Sequence, residues 1–187
     1  QHLDHRFFRS PNDSLGEVTL GDMGFLELTG RLPNANESRM FNAMAVTLVE
    51  HGITPSALVA RLTYLGAPES LQGAVAAGLN GLGTVFVGST EGAAKVLTEA
   101  MPQPDANADF AALAAPVVEQ FQSAKRILPG IGHPFHKPVD PRAPRLLQIA
   151  RETGFGGPYM KLMQAIADQA FQRSGRVVPM NATGAIG

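Results

Sequence analysis

The chain contains no cysteine. A disulfide framework and a thiolate metal site are therefore excluded, and the absence fits a cytoplasmic protein. Neither sign of charge is in excess: 15 Lys and Arg stand against 16 Asp and Glu, a formal net charge of −1. That balance gives no electrostatic reason to expect nucleic acid or an anionic membrane as a partner. No apolar run approaches the ~20 residues that cross a bilayer. The first residues, Gln1-His2-Leu3-Asp4-His5-Arg6, lack the basic-then-apolar order of a secretory signal. What is present is a 187-residue chain, 44% hydrophobic and 17% charged, which suits one domain with a substantial core. The many Ala and Gly residues suggest helices that pack closely. The chain starts without Met and ends at Gly187 in a glycine-rich apolar run, so it is expected to be incomplete at both ends.

Residues Gln1 to Val18 are polar and aperiodic and read as an irregular arm. The spacing of Met23, Leu26 and Leu28, stopped by Thr29-Gly30, predicts a short helix. Asn34 or Asn36 caps a second helix, whose apolar face is Met40, Met44, Val46 or Thr47, and Leu48, running to His51-Gly52. Thr54-Pro55 is an N-cap followed by proline at the first helical position, so a helix starts at Ser56. Leu71 to Leu82 is small or apolar nearly all round and belongs in a core or an interface, with Gly73 and Gly78 allowing close approach. Further helices are expected over Thr90 to Ala100, over Phe110 to Leu128 with Pro116 marking the first turn, over Arg142 to Glu152, and from Gly157-Pro158 to about Arg173. Pro102 to Asp109 is a polar linker and Val177 to Pro179 a short extended link. No convincing strand is present, and the fold class is all-α.

His133 is the most informative residue for chemistry. It lies in Gly130-Ile131-Gly132-His133-Pro134, a loop between helices that exposes backbone and side chain at a fixed place. Asp140 reads as an N-cap, with Arg142 in the first turn and Lys137 as a second cation. Free N–H groups and a guanidinium there make a carboxylate-binding corner. The same residues also read as a solvated basic turn, and spacing alone does not choose. His133, His136 and Asp140 are disfavoured as metal ligands, because Pro134 and Pro138 break any helix that would align them. His51 taken alone reads as an imidazole at a helix C-terminus. The glycines of 81–84 and 88–92 lack the strand and the Gly-Lys-Ser/Thr of a phosphate loop and read as helix junctions.

Together these segments resemble the citrate synthase superfamily, specifically its citryl-CoA lyase-like branch. The resemblance runs through Leu28-Thr29-Gly30-Arg31-Leu32-Pro33, Glu50-His51-Gly52 with Ser56 and Arg61, Gly130-Ile131-Gly132-His133 through Asp140-Pro141-Arg142, and Asn181-Ala182-Thr183-Gly184. It implies a large helical domain with a small helical subdomain, the latter over about 102–175, within a single domain spanning 1–187. It also implies that His133 bonds the carbonyl or hydroxyl oxygen of the oxaloacetate half, and that His51 and Arg142 hold its carboxylates. Lys137 would stand near CoA phosphates, and a homodimer would place Leu71 to Leu82 in or near its interface.

Two departures from the family pattern bear on activity. Phe86, in Val85-Phe86-Val87-Gly88-Ser89, stands where citrate synthases carry a His, and the citryl-CoA cleavage module of ATP-citrate lyase also looks to have Phe there. Thr183 stands where the family has its catalytic Asp, and a hydroxyl does not serve as general base near neutral pH. The expected activity is cleavage of citryl-CoA, or a related 3-hydroxyacyl-CoA, to acetyl-CoA and a 2-oxo acid such as oxaloacetate. His133 would take the hydroxyl proton, and a water held by Thr183 is one source of the acid. The alternatives are condensation in the reverse direction and a catalytically impaired protein that binds CoA or a dicarboxylate. CoA enters as a thioester substrate and no metal is expected.

Overall fold

The computed structural model describes residues 16–49, 52–84, 87–133, 136–176 and 178–187. His51 and Phe86, two of the expected site residues, lie outside the described residues. Among those described there are nine helices and no strand: α1 Leu20–Thr29, α2 Ala35–Val49, α3 Pro55–Gly66, α4 Leu71–Leu79, α5 Ser89–Ala100, α6 Phe110–Ser123, α7 Arg142–Thr153, α8 Pro158–Ser174 and α9 Ala182–Ile186. None of them is long and apolar enough to cross a membrane.

Local chemistry sets most of the starts. Thr19 and Asp22 form a reciprocal capping box at α1, and Gly30, at φ 77°, ends that helix in the left-handed region. Asn34 accepts from the N–H groups of Asn36 and Glu37, while Glu37 accepts from the N–H of Asn34, so Asn34 rather than Asn36 caps α2. The Arg31 guanidinium on Glu37, with the Asn34 N–H, holds that carboxyl down to about 2. Thr54 caps α3 with Pro55 at the first turn.

Other expectations change. Pro116 lies inside α6 and not at its first turn, because Asp109 caps that helix and Phe110 begins it. The helix stops at Ser123, short of Leu128, where Lys125 takes φ 51°. On α1 and α2 only Leu26 and Met40 are buried, while Leu28, Val46 and Leu48 are exposed.

The main core joins α5, α6 and α8 with Ile131 and Met180. On α8 the buried residues Leu162, Met163, Ile166, Ala167 and Ala170 recur at helical spacing. Full burial of Leu162 and Ile166 contributes about 2–3 kcal/mol each. Helices α6 and α8 run parallel. Lys161 sits over the Phe110 ring near their starts, and Arg173 pairs with Glu119 near their ends. A second core, Met40 with Leu146, Ile149 and Ala150, ties α2 to α7, and the Arg39–Glu152 pair spans the same two helices at the surface.

Helices α3 and α4 form a hairpin in which Gly78 meets α3 closely. A Cβ at Gly78 would lie 3.1 Å from the Ala60 Cβ and from the Ser56 carbonyl. Helix α4 ends at Leu79, not Leu82, and buries only Ala74 and Gly78. Leu71, Val75 and Leu79 stay exposed, so within one chain this helix is not a core element.

Candidate active site

The His133 loop is built by pairing two chain segments far apart in sequence. Ile131 and Met180 form an isolated antiparallel bridge. Its bonds run from the Gly132 N–H to the Pro179 carbonyl at 2.7 Å and from the Asn181 N–H to the Gly130 carbonyl at 3.0 Å. Glycine is required at this crossing. Gly130 has φ 81°, and a Cβ on it would lie 2.7 Å from the Gly184 Cα. A Cβ on Gly184 would in turn run into the Gly130 carbonyl oxygen.

Asn181 completes the junction. Its Nδ2 donates to the Gly132 carbonyl at 2.7 Å, and its Oδ1 accepts from the Gly184 N–H at 3.0 Å and from the Thr183 hydroxyl at 2.6 Å. It is thus the cap of α9, a short helix not expected from the sequence. Thr183 therefore stands one side chain away from the peptide that precedes His133.

Asp140 ties Arg142 to the same segment. It is fully buried, and Pro141 rather than Asp140 stands at the N-cap of α7. Its Oδ1 accepts from the backbone N–H and Nε of Arg142 at 3.1 and 3.0 Å, and its Oδ2 accepts from Arg142 Nη2 at 2.8 Å and from the Ala182 N–H at 3.0 Å. Burial pushes this carboxyl up, but the Arg142 side chain and the Arg142 and Ala182 N–H groups outweigh it and hold it down to about 2. Both of its oxygens are turned to these donors.

His133 faces donors at both ring nitrogens. Its Nδ1 lies 3.0 Å from the His136 N–H, and its Nε2 lies 3.3 Å from Arg142 Nη2. A neutral imidazole has one acceptor nitrogen. Both facing groups can only donate; the His136 N–H is the nearer, and with Nδ1 accepting from it the ring proton sits on Nε2. Nε2–H and the Arg142 guanidinium are then two donors brought side by side, an arrangement that suits a carboxylate, carbonyl or hydroxyl oxygen. The His136 ring packs against His133 with centroids 4.4 Å apart, and Lys137 follows on the same loop, exposed.

The structure brings together His133, Arg142 and Thr183, three of the residues the sequence singled out. Asp140 as their charged tie and Asn181 as the junction were missed in those roles. The Asp-Pro-Arg and Asn-Ala-Thr-Gly motifs carried the signal. An apolar cavity of about 320 Å³ lies elsewhere, on the flank of the C-terminal segment formed by Met180 and Gly184 to Gly187, with Met40, Phe41 and Met160 on its walls. It does not include His133, Arg142 or Thr183.

The sequence profile of the family described as "Citrate synthase, C-terminal domain" matches residues 12–182. The chain belongs to the citrate synthase family. It is similar to citryl-CoA lyase from Hydrogenobacter thermophilus, at 32% identity and a TM-score of 0.79, covering 93% of this chain and 65% of that one. It also resembles ATP citrate lyase from Methanothrix soehngenii, in complex with citrate and coenzyme A, at 19% identity and a TM-score of 0.72 over 90% of this chain and 26% of that one. Citrate synthase from Thermotoga maritima aligns at 18% identity and a TM-score of 0.66, over 90% and 44% respectively. The last two likenesses concern the fold alone. No curated protein matches the chain.

Proposed function

We propose that the protein is a carbon–carbon lyase of the citryl-CoA lyase type, cleaving citryl-CoA or a related 3-hydroxyacyl-CoA to acetyl-CoA and a 2-oxo acid such as oxaloacetate. The convergence of the His133 loop, Arg142 and the Thr183 segment carries this reading, in a chain 32% identical to a citryl-CoA lyase. Cleavage turns a tertiary alcohol into a ketone. The hydroxyl proton leaves, the C–C electron pair passes to the thioester side as an enolate, and the enolate carbon takes up a proton. His133 Nε2–H donates to the substrate oxygen and Arg142 to a carboxylate beside it. For His133 to serve as the base as well, Nε2 must lose its proton, and His136 must release Nδ1. Lys137 is assigned to CoA phosphates, and His51 and Phe86 to the substrate side, on the family resemblance. CoA enters only as the thioester, and the chemistry requires no metal. A cytoplasmic setting fits a CoA-thioester substrate.

Thr183 favours a second reading, in which a catalytically impaired protein binds CoA or a dicarboxylate. Titration calorimetry with citrate, oxaloacetate and acetyl-CoA, followed by an assay for acetyl-CoA release from citryl-CoA, separates the two. Release at enzymatic rates supports the lyase. Micromolar binding without release supports the binding protein, and neither result would sink both readings.

We also propose a homodimer. Leu58, Leu62, Leu65, Leu71, Val75 and Leu79 leave a broad apolar face on the α3–α4 hairpin, larger than scattered surface residues explain.

A further inference from the structure

Two backbone groups decide which way the Asn181 amide points. The Gly184 N–H requires an acceptor at 3.0 Å, which must be Oδ1, and the Gly132 carbonyl requires a donor at 2.7 Å, which must be Nδ2. A flipped amide would set donor against donor and acceptor against acceptor. With Oδ1 fixed, the Thr183 hydroxyl 2.6 Å away has one option, to donate its proton to Asn181. Its remaining lone pairs are what Thr183, half-buried, presents to its surroundings.

We infer that Asn181 is a positioning residue that fixes the Thr183 hydroxyl as an acceptor, so that the proton reaching the enolate carbon comes from a water donating to Thr183 Oγ1. This rests on the lyase reading, which sets the acyl end of the thioester beside Thr183. One O–H of that water is spent on Oγ1 and the other points to the enolate carbon. As the C–C bond breaks, its electron pair becomes the enolate, and the carbon takes a proton from the water to become the acetyl methyl. The proton of the tertiary hydroxyl, taken up by His133 once Nε2 is free, passes to the hydroxide left behind, so water is regained and citryl-CoA divides into acetyl-CoA and oxaloacetate. Thr183 never gives up its own proton.

The test uses two CoA thioethers, one ending in a carboxamide and one in a carboxylate, titrated into the whole chain. An acceptor at Thr183 receives an N–H from the carboxamide and repels the acceptor-only carboxylate. The carboxamide is expected to bind about tenfold tighter, the worth of one net hydrogen bond. Thr183→Ser keeps that preference and Thr183→Val removes it. Asn181→Ala frees the hydroxyl to turn and donate, so it too removes or reverses the preference. Asn181→Ala also lowers kcat for citryl-CoA more than it raises KM, whereas a merely structural Asn181 leaves the preference between analogues unchanged. If both analogues bind equally in the natural chain, or Thr183→Val keeps the preference, the inference is wrong while the lyase reading stands. If neither analogue binds and citryl-CoA is not cleaved, the lyase reading falls and takes the inference with it.

Discussion

The Asp140 carboxylate grips Arg142 twice, at its backbone N–H and along the Nε–Nη2 edge of its guanidinium. The arginine proposed to meet substrate is therefore held before substrate arrives, with no rotamer freedom left to lose on that edge. The same carboxylate accepts from Ala182, so the orientation of Arg142 and the position of the Thr183 segment depend on one buried group.

Asp140→Asn places an amide where both oxygens met donors, so one Nδ2–H now faces a donor and the partly buried Arg142 guanidinium loses this carboxylate. We expect a loss of about 3 kcal/mol in stability, near the lower end for a broken buried pair because Arg142 stays 28% exposed. Citryl-CoA turnover should fall at least about tenfold. Urea unfolding and steady-state kinetics measure both, and an unchanged midpoint would show that the pair contributes nothing.

The pH dependence follows from the same group. The Asp140 carboxyl sits at about 2 in the folded chain against an ordinary value of 3.8. A carboxyl depressed by folding contributes stability in full above its unfolded value and loses it as pH falls through its folded one. Stability should decline between about pH 4 and pH 2, with Glu37, also held at about 2, acting in the same direction. In Asp140→Asn the decline should be shallower, which thermal unfolding from pH 6 to pH 2.5 reads directly. Equal slopes in the two proteins would remove Asp140 from the account.

Gly184→Ala tests the crossing under the site. The new methyl meets the Gly130 carbonyl, a backbone atom that shifts only if the bridge opens. A cost of about 1–3 kcal/mol is expected, as for overpacking elsewhere. Weakened substrate binding should accompany it, because Gly130 and Gly132 frame His133. Wild-type unfolding and KM together would contradict the packing seen here.

The α3–α4 face predicts its own test. Leu62 and Val75 are 66% and 54% exposed, so charging them leaves the folded chain intact. If that face joins two copies, Leu62→Glu with Val75→Glu should convert a dimer to a monomer in sedimentation, with helicity unchanged. A natural chain that sediments as a monomer contradicts the proposal at once.

The parts of this architecture that were legible in the sequence are those set by neighbours along the chain. Thr54-Pro55, Gly157-Pro158 and the stop at Gly30 act within one helical turn, and each marks a boundary the structure keeps. His133 and Arg142 were legible as a pair because they lie only nine positions apart in the chain. Asp140 looked like a cap, since its second partner, Ala182, lies 42 residues away and no local rule announces it. Pro116 was misplaced because proline prefers a first turn, yet Asp109 captures the start of α6 and α6 tolerates the missing N–H at its seventh residue. Val46 and Leu48 fit a helical stripe, but only Met40 on α2 is buried against α7.

The last prediction concerns Thr183. If cleavage has lost its carboxyl acid and relies on a water, protonation of the enolate should limit the rate, and Thr183→Asp should raise turnover of citryl-CoA. The new carboxyl would bring an oxygen toward Asn181 Oδ1, which now lies 2.6 Å from the hydroxyl oxygen. Two acceptors at that distance favour the protonated carboxyl, the form an acid needs, and its pKa should sit above the ordinary carboxylate range. Turnover should therefore rise about 10- to 100-fold at low pH and fall as pH passes that raised value, whereas the natural chain lacks this limb. Asp is close to Thr in size, so packing should change little. His133→Ala should abolish cleavage in either background, because the substrate oxygen loses its donor. On the binding reading the natural chain shows no turnover, and Arg142→Ala removes citrate or CoA affinity instead. If the natural chain cleaves citryl-CoA efficiently and Thr183→Asp leaves the rate unchanged or lower, Thr183 does not stand at a missing acid.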